Sequence, residues 1–287
     1  MKSERSLVYP VSRSPFLTDR VALLRVAKLA PGFCTVCGSL TVFRIASSNL
    51  RETLTCARCR SFNRQRQVAD VVCAGLEPSL GIRSLNDLHK VDSLRIYNTE
   101  AARAIHNILS SHPGYQCSEF VGPNYRSGET VNGLRHEDLQ QLSFGSATFD
   151  LVLSGDVFEH VPDPYQAHRE VLRVLKPGGR HVFTVPFYQE SYRDEVRARA
   201  NAAGEVEFLV EPLYHSDPVH PEQGSLVYTV FGLEMLLKLD ALGFDVRFHR
   251  VHNPWHGILG PNGLVFEAIK PETSSQTAVE MATAEAR

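Results

Sequence analysis

FDLVLSGDVFEHVPDPYQAHREVLRVLKPGGRHVFTVPF, residues 149–187, contains a strand, a helix and a second strand in succession. The first six residues are nearly all apolar, which is typical of a strand buried on both faces of a parallel sheet. Asp163 suits the N-cap of the helix and Pro164 its first position, and the KPGG stretch at 176–179 is expected to end it. The stretch therefore indicates a parallel β-α-β unit.

The same alternation continues on both sides of this unit. Strands are predicted at LRIYN (94–98) and YQCSEF (115–120), with a helix at EAARAIHNILSS (100–111) between them. Downstream, FGLEMLLKLDALGF (231–244) predicts a helix that ends at its glycine, and residues 245–270 predict an antiparallel hairpin. Repeated β and α units imply an α/β protein with a doubly wound, mostly parallel sheet.

Bulk composition narrows the class of protein. The 287 residues, 43% of them hydrophobic, suffice for one large domain or two smaller ones with a full core. The net charge of −2 argues against a protein whose whole surface binds nucleic acid. The lack of a long apolar run predicts no membrane helix and no secretory signal. Six cysteines in a chain of this length do not suggest a disulfide scaffold, so we expect a reducing cytoplasm.

Four of the cysteines form two matched C-x2-C pairs. They are Cys34, Cys37, Cys56 and Cys59. This spacing is typical of a structural zinc site with four thiolate ligands, and LTVFRI and ETLTC between the pairs predict the strands of a small ribbon. Four ordinary buried thiols are the alternative, but they would not explain two matched pairs.

The region around the ribbon is basic. Residues 28–66 carry seven lysines and arginines and one acid, Glu52. Such a surface could contact a phosphate or a nucleic acid, or it could be a solvated face that also contacts the main domain. We favour the second interpretation.

The central motifs resemble those of the class I S-adenosylmethionine-dependent methyltransferases. F-D-L-V, E-H-V-x-D-P and R-V-L-K-P-G-G follow one another in the order and spacing typical of this family, and the similarity spans about residues 92–270. The resemblance implies a Rossmann-like sheet of seven strands with a reversed final hairpin, and S-adenosylmethionine as cofactor. The chain then divides into an arm (1–30), a zinc ribbon (31–66), the main domain with a lead-in helix (67–270) and a disordered tail (271–287).

The resemblance also implies roles for individual residues. Glu119, at the end of the second strand, would bind the ribose hydroxyls. Asp138 would accept from the adenine amino group, and the backbone N–H of Leu139 could donate to the ring. Asp156 would line the methionine end and the acceptor. Each of these acids could instead have no role in binding and be a surface carboxylate or the cap of a turn or helix.

The turn after the first strand departs from the family pattern. The family has acid-x-Gly-x-Gly, whereas this chain has Tyr97, Thr99 and Ala101 at the three positions. Glycine allows a positive φ and close approach of the backbone to a ligand. S-adenosylmethionine carries no phosphate, so the demand for space is smaller. Tyr97, Thr99 and Ala101 are therefore expected to contact the cofactor, and the small Thr99 and Ala101 to line its methionine end. Glu100 or Asp156 would then contact its amino group.

The methyl acceptor is less defined by the sequence. A hydroxyl acceptor needs a base, and four histidines follow the strand that ends at Phe187: His215, His220, His252 and His256. Their irregular spacing does not favour a metal site, and His215 is our candidate base. The Glu159-His160 pair either faces the acceptor or packs beneath the loop, so His160 is a second catalytic candidate.

We therefore expect a methyltransferase acting on a hydroxyl of a small molecule or glycan. One alternative is an RNA methyltransferase that grips its substrate through Arg58, Arg60, Arg64 and Arg66. The other is a non-catalytic module that has lost the cofactor.

Overall fold

The computed structural model describes residues 29–201, 205–215, 222, 224–261 and 263–272. Nearly all of the predicted arm, the predicted tail beyond Glu272, and His220 lie outside the described residues. The helices are α1 (Leu50–Thr53), α2 (Asn63–Leu80), α3 (Arg103–Leu109), α4 (Pro164–Val174) and α5 (Glu234–Leu242). Short 3-10 turns occupy Leu85–Lys90, Phe158–His160 and Pro254–His256.

The strands fall into one large sheet, one ribbon and several short pairs. The first nine are β1 (Leu29–Cys34), β2 (Ser39–Ile45), β3 (Leu54–Cys56), β4 (Ile96–Asn98), β5 (Tyr115–Cys117), β6 (Thr130–Val131), β7 (Leu134–Arg135), β8 (Phe149–Gly155) and β9 (Leu175–Thr184). The rest are β10 (Glu195–Val196), β11 (Ala198–Ala200), β12 (Val206–Phe208), β13 (Tyr214–His215), β14 (Ser225–Leu226), β15 (Thr229–Val230), β16 (Asp245–Arg250) and β17 (Leu264–Ile269).

The large sheet has the predicted mixed topology. Its order is β16-β17-β9-β8-β4-β5, in which β5, β4, β8 and β9 run parallel. β17 is antiparallel to both β9 and β16, which confirms the reversed final hairpin. The fold is the Rossmann-like α/β fold expected from the sequence.

The described sheet has six strands, whereas seven were expected. At the edge beyond β5, a single parallel bridge joins Glu119 to His136. The residues on both sides of His136 pair elsewhere: Leu134–Arg135 pairs with Thr130–Val131, and Asp138 forms a turn with Gln141.

The central β-α-β unit follows its sequence signals closely. The Asp163 carboxylate accepts from the backbone N–H groups of Tyr165 and Gln166, so it caps α4 as predicted. The helix ends at Val174, but the 176–179 stretch does not form a separate turn, because β9 already begins at Leu175. The glycines there lie in the first part of the strand, where β9 pairs irregularly with β8.

The ribbon packs against the main domain through a shared core. β1, β2 and β3 form a three-stranded antiparallel sheet, and its buried Phe43 and Leu54 belong to the same apolar cluster as Val72 of α2 and Leu151 of β8. α2 buries Val68, Val71 and Val72 in this shared core. No helix in the described residues has both the length and the apolar character needed to cross a bilayer.

Candidate functional site

The carboxyl ends of three parallel strands meet at one edge of the sheet. β4 lies between β5 and β8 and pairs with both. The segments that follow are the loop 99–102 after β4, residues 118–119 after β5 and residues 156–160 after β8. Ligands of open α/β sheets bind at this edge, and most of the predicted cofactor residues lie on these segments.

The loop 99–102 is held by the strand ends on both sides. The Thr99 N–H donates to the Leu153 carbonyl on β8 (3.0 Å), and the Ala101 N–H donates to Glu119 Oε1 (2.7 Å). The Thr99 hydroxyl is buried and has no hydrogen-bond partner within the described part of the chain. Burying a hydroxyl without a partner costs about 1–3 kcal/mol, so this loop carries a polar atom that a ligand could satisfy.

The loop needs no glycine for its own backbone. Among the described residues, the non-glycine positions with positive φ include Arg103 and Asp156 but none from 97 to 102. The expected helix from Glu100 instead begins at Arg103. Residues 99–101 are kept out of it because the Asn98 side chain donates to the Glu100 carbonyl (2.8 Å) and the Ala101 N–H is engaged by Glu119.

Tyr97 lies beneath the loop. Its ring is fully buried, stacks on Phe149 and meets the edge of Phe144. Its hydroxyl is 2.7 Å from Ser118 Oγ. The Tyr97 side chain therefore belongs to the core. Only the backbone of Tyr97 is left for the expected contact with the cofactor.

Asp138 and Leu139 lie beyond the edge strand. The Glu137 N–H donates to the Glu119 carbonyl (3.2 Å), which brings this segment alongside the end of β5. Asp138 Oδ1 accepts from the Gln140 N–H (2.8 Å), while the Leu139 side chain is buried. The Asp138 carboxylate thus caps a local turn, which is the non-functional role considered for it above. The turn lies near Glu119, the residue expected to bind the ribose.

Asp156 is the most heavily bonded acid at the edge. Its carboxylate accepts hydrogen bonds from both terminal nitrogens of Arg51 (2.6 and 2.7 Å) and from the Thr184 hydroxyl (2.7 Å). Arg64 Nε lies 3.3 Å from it. Burial opposes ionisation here, but the guanidinium groups of Arg64 and Arg51 outweigh it and lower the pKa of Asp156. The carboxylate is charged at neutral pH, with its charge already paired.

Arg64 also reaches the space above β8. A Cβ added at Gly155 would lie 2.5 Å from Arg64 Nη1 and 3.2 Å from Glu100 Oε2, so this glycine makes room for the two side chains. The cavity between them, lined also by Asn98 and Ser154, has a volume of about 10 Å³, room for a single water. Burial raises the pKa of Glu100 to about 7, against the opposing effect of Arg64. Of the two acids expected to contact the cofactor's amino group, Asp156 is the one that is ion-paired with Arg51.

A second group of side chains follows β8 directly. Glu159 is fully buried in the 3-10 turn, and its Oε1 lies 3.7 Å from His160 Nε2 and 3.6 Å from His215 Nδ1. Neither separation is a hydrogen bond, and both carboxylate oxygens lack one within the described residues. Burial raises the pKa of Glu159, and the nearby carboxylate raises the pKa of His215. The structure thus brings together the two histidines singled out from the sequence.

Backbone contacts hold this group in place. The His160 Nδ1–H donates to the Leu226 carbonyl (2.8 Å), and the Tyr228 N–H donates to the Glu159 carbonyl (2.7 Å). His215 on β13 pairs with Ser225 on β14, next to Leu226. Of the other candidate histidines, His256 contacts Asp70, and burial lowers the pKa of His252. Neither belongs to the cluster around Glu159.

The four ribbon thiols converge as their spacing predicts. Their sulfur atoms all lie within 4.8 Å of one another, and Cys34 and Cys59 are 3.7 Å apart. Arg66 is fully buried beside them and donates to the carbonyls of Leu54, His256 and Gly257. It thereby connects the ribbon to the 254–257 turn.

Neither Arg51 nor Arg64 was predicted to lie at the cofactor edge, and Arg64 was named only as a possible RNA contact. For Arg64 a signal existed, because it lies one helical turn before the buried Val68 and therefore on the inward face of α2. For Arg51 there was none, because nothing local indicates that α1 of the ribbon reaches Asp156 after β8.

Comparison with known proteins bears on the same part of the chain. The family described as "Methyltransferase domain" matches residues 115–183. An uncharacterized methyltransferase of Mycobacterium marinum is 28% identical over 116 residues, 40% of this chain and 46% of that protein. A demethylmenaquinone methyltransferase of Halalkalibacterium halodurans is 38% identical over 65 residues, 21% of this chain and 26% of that protein. The chain thus spans less than half the length of these curated relatives.

Among solved structures, one similar protein is a 1,6-didemethyltoxoflavin-N1-methyltransferase of Burkholderia thailandensis, determined with 1,6-didemethyltoxoflavin and S-adenosylhomocysteine bound. It is 18% identical, with a TM-score of 0.37, over 85% of this chain and all of that one.

Proposed function

We propose that this chain, which carries the class I S-adenosylmethionine-dependent methyltransferase domain, is itself such a methyltransferase and binds its cofactor at the carboxyl edge of β5, β4 and β8. The observation that carries the proposal is the contact between Glu119 and the loop 99–102 (2.7 Å). It places an acid at the end of the second strand against the turn after the first. Two carboxylate oxygens suit the adjacent hydroxyls of a ribose, because each oxygen can accept one hydroxyl proton.

The residues around Glu119 would hold the rest of the cofactor. Asp138 and the Leu139 N–H would contact the adenine, and the Thr99 hydroxyl and Ala101 would line the methionine end. The unpartnered Thr99 Oγ1 supports this, since a ligand would supply the hydrogen bond that the protein lacks. Arg64 would face the carboxylate of the methionine and Glu100 its amino group, with Asp156 keeping Arg51 and Arg64 in place.

The bound cofactor supplies a methyl group on a positively charged sulfur. We propose that the acceptor is a hydroxyl of a small molecule or a sugar, placed beside residues 156–160. The acceptor oxygen loses its proton and forms a bond to the methyl carbon, and the carbon–sulfur bond breaks with its electrons on sulfur. The protein aligns the two reactants, and the proton is lost at the cluster formed by Glu159, His160 and His215.

The ribbon is proposed to be structural. Four converging thiolates would fill every position of a tetrahedral Zn²⁺, so no position remains for a substrate. Zinc would fix the ribbon that carries Arg51, and the ribbon would in turn cover the loop 99–102.

The proposal is tested by calorimetry of the full chain with S-adenosylhomocysteine. We expect binding, and at least a ten-fold loss of affinity in Glu119→Gln, because the variant loses a charged hydrogen-bond acceptor worth about 1.5–3 kcal/mol. Glu190→Gln, which changes an exposed acid in the same way, is the control. No binding at millimolar ligand would refute the proposal and leave the chain a non-catalytic module.

A further inference from the structure

The Glu159 carboxylate is buried in a way that the protein alone does not explain. Its side chain is fully inaccessible, and neither oxygen has a hydrogen bond within the described residues. A buried ionised carboxylate is strongly unfavourable unless it is paired or coordinates a metal. No lysine or arginine is paired with it among the described residues, and its only ion-pair neighbours are two imidazoles.

The separations within the cluster are those of ligands rather than of hydrogen-bonded partners. Glu159 Oε1 is 3.7 Å from His160 Nε2 and 3.6 Å from His215 Nδ1. Two ligand atoms that each lie about 2.1 Å from one tetrahedral ion are about 3.4 Å apart. The three ligand atoms all lie within 4.8 Å of one another, so one oxygen and two nitrogens could coordinate a common ion once the side chains move closer together.

The imidazole of His160 is prepared for coordination. Its Nδ1–H is donated to the Leu226 carbonyl, so the proton is on Nδ1 and the lone pair is on Nε2, which lies 3.7 Å from Glu159 Oε1. Metal-bound histidines characteristically donate their second nitrogen to such a partner. Backbone contacts of residues 225–228 with Glu159 and with residues 214–215 hold the segments that carry the three ligands together.

The cluster is also open on one side. Glu159 is closed off, but the side chains of His160 and His215 are 18% and 37% exposed. A structural metal site has four protein ligands and is closed, whereas three ligands with a free position are typical of catalytic sites. An additional ligand, water or a substrate oxygen, could reach the ion from the solvent side.

We infer that Glu159, His160 and His215 bind a divalent transition-metal ion, distinct from the ion of the ribbon. Two imidazoles with one carboxylate favour ions such as Zn²⁺, Mn²⁺ or Fe²⁺ over Mg²⁺ or Ca²⁺, which prefer oxygen ligands. The binding of metal does not depend on the proposed function. Its role does: an ion at this place would take the acceptor hydroxyl as its next ligand and lower the pKa of that hydroxyl. Glu159, His160 and His215 would then act as metal ligands, and water rather than His215 would take up the proton at this cluster.

The experiment is a calorimetric titration of the full chain with Zn²⁺ after the ribbon has been loaded with one equivalent. We expect one further site per chain. Glu159→Gln and His215→Ala should each weaken it at least ten-fold, since even the loss of an outer partner of a metal ligand weakens binding ten- to a hundred-fold. His252→Ala, which removes a histidine outside both clusters, should retain it.

The outcomes separate the metal site from the proposed function. Absence of a further site in the unaltered chain, or its persistence in both variants, would overturn the metal inference. His215 is partly exposed, so His215→Ala should fold, and thermal unfolding of each variant verifies this. S-adenosylhomocysteine is titrated into the same samples: binding without a second metal leaves the proposed function intact, and metal without cofactor binding refutes that function alone.

Discussion

At the scale of single residues, the loop after β4, where we propose that the cofactor binds, needs no glycine for its backbone. No residue of 97–102 needs a positive φ, so the small side chains Thr99 and Ala101 fit the backbone without strain. The unusual feature is chemical, because the Thr99 hydroxyl is buried without a hydrogen bond in the described structure.

Thr99→Val should separate stability from binding. Replacing an unsatisfied buried hydroxyl by a methyl group of the same shape should leave the free energy of unfolding unchanged or raise it. The same change should weaken S-adenosylhomocysteine binding about three- to ten-fold, the value of one neutral hydrogen bond. Denaturant unfolding and calorimetry measure the two effects, with Thr99→Ser as the control. Unchanged affinity in Thr99→Val would mean that the hydroxyl does not face the cofactor.

A larger side chain at position 101 provides a second test of where the cofactor binds. Ala101 lies partly exposed on the loop beside Glu119. In Ala101→Leu the added atoms should occupy the space of the methionine end and abolish detectable S-adenosylhomocysteine binding, while the fold persists. Near-normal binding by this variant in calorimetry would show that the cofactor is wrongly placed.

At the scale of elements, most of the positive charge of the ribbon and the start of α2 is used in contacts within the protein. Arg66 is fully buried, Arg64 is 7% exposed, and Arg51 is paired with Asp156, whereas Arg58 and Arg60 face solvent. Two of the four arginines that would have gripped RNA are therefore unavailable to it. The ribbon and α2 use positive charge to attach themselves to the 254–257 turn and to the acids at the sheet edge.

Arg66→Met should detach the ribbon from the 254–257 turn. The variant leaves the carbonyls of Leu54, His256 and Gly257 without their shared donor, and it also removes a cation above the ring of Phe43 (4.4 Å). We expect the free energy of unfolding to fall by at least about 3 kcal/mol, as when a buried charged group is removed from its partners. Arg58→Met, at an exposed position of the same ribbon, should change it by less than about 0.5 kcal/mol. Equal effects in denaturant titrations would contradict the docking role.

At the scale of the whole molecule, two neutral histidines lie in the main core beside the sheet. Burial lowers the pKa of His168 to about 3, and it lowers that of His181 well below its usual value. His168 stacks on Phe158 (ring centroids 4.2 Å apart), and neither of its nitrogens has a hydrogen bond in the described structure. The core therefore accommodates His168 only while it is uncharged.

This burial makes stability depend on pH in a defined direction. An unfolded histidine gains its proton near pH 6.5, whereas folded His168 resists protonation down to about pH 3. Its contribution to stability is thus present above pH 6.5 and lost as the pH falls below it, by about 2 kcal/mol between pH 7 and pH 5. His168→Leu should remove this part of the pH dependence, which denaturant unfolding at both pH values measures. Parallel losses in both proteins would mean that His168 does not cause the effect.

The sequence by itself determined the features that depend on neighbouring residues. The strand at 149–155, the Asp163 cap, the final antiparallel hairpin and the paired cysteines were all predictable, because alternation, capping and turn chemistry act within a few positions. The methyltransferase resemblance rested on motifs of the same short range. The described sheet has six strands, and at the edge where a seventh is expected a single parallel bridge joins Glu119 to His136.

Only the tertiary structure decided which distant side chains meet. Arg51 reaches Asp156 because the ribbon packs across the sheet edge, and His215 joins Glu159 and His160 because the β13–β14 pair folds back over the end of β8. Neither contact has a local signature, because charge pairing and ligand convergence depend on distance in space and not on separation along the chain. The same reason places Tyr97 in the core, although its position in the sequence suggested the cofactor loop.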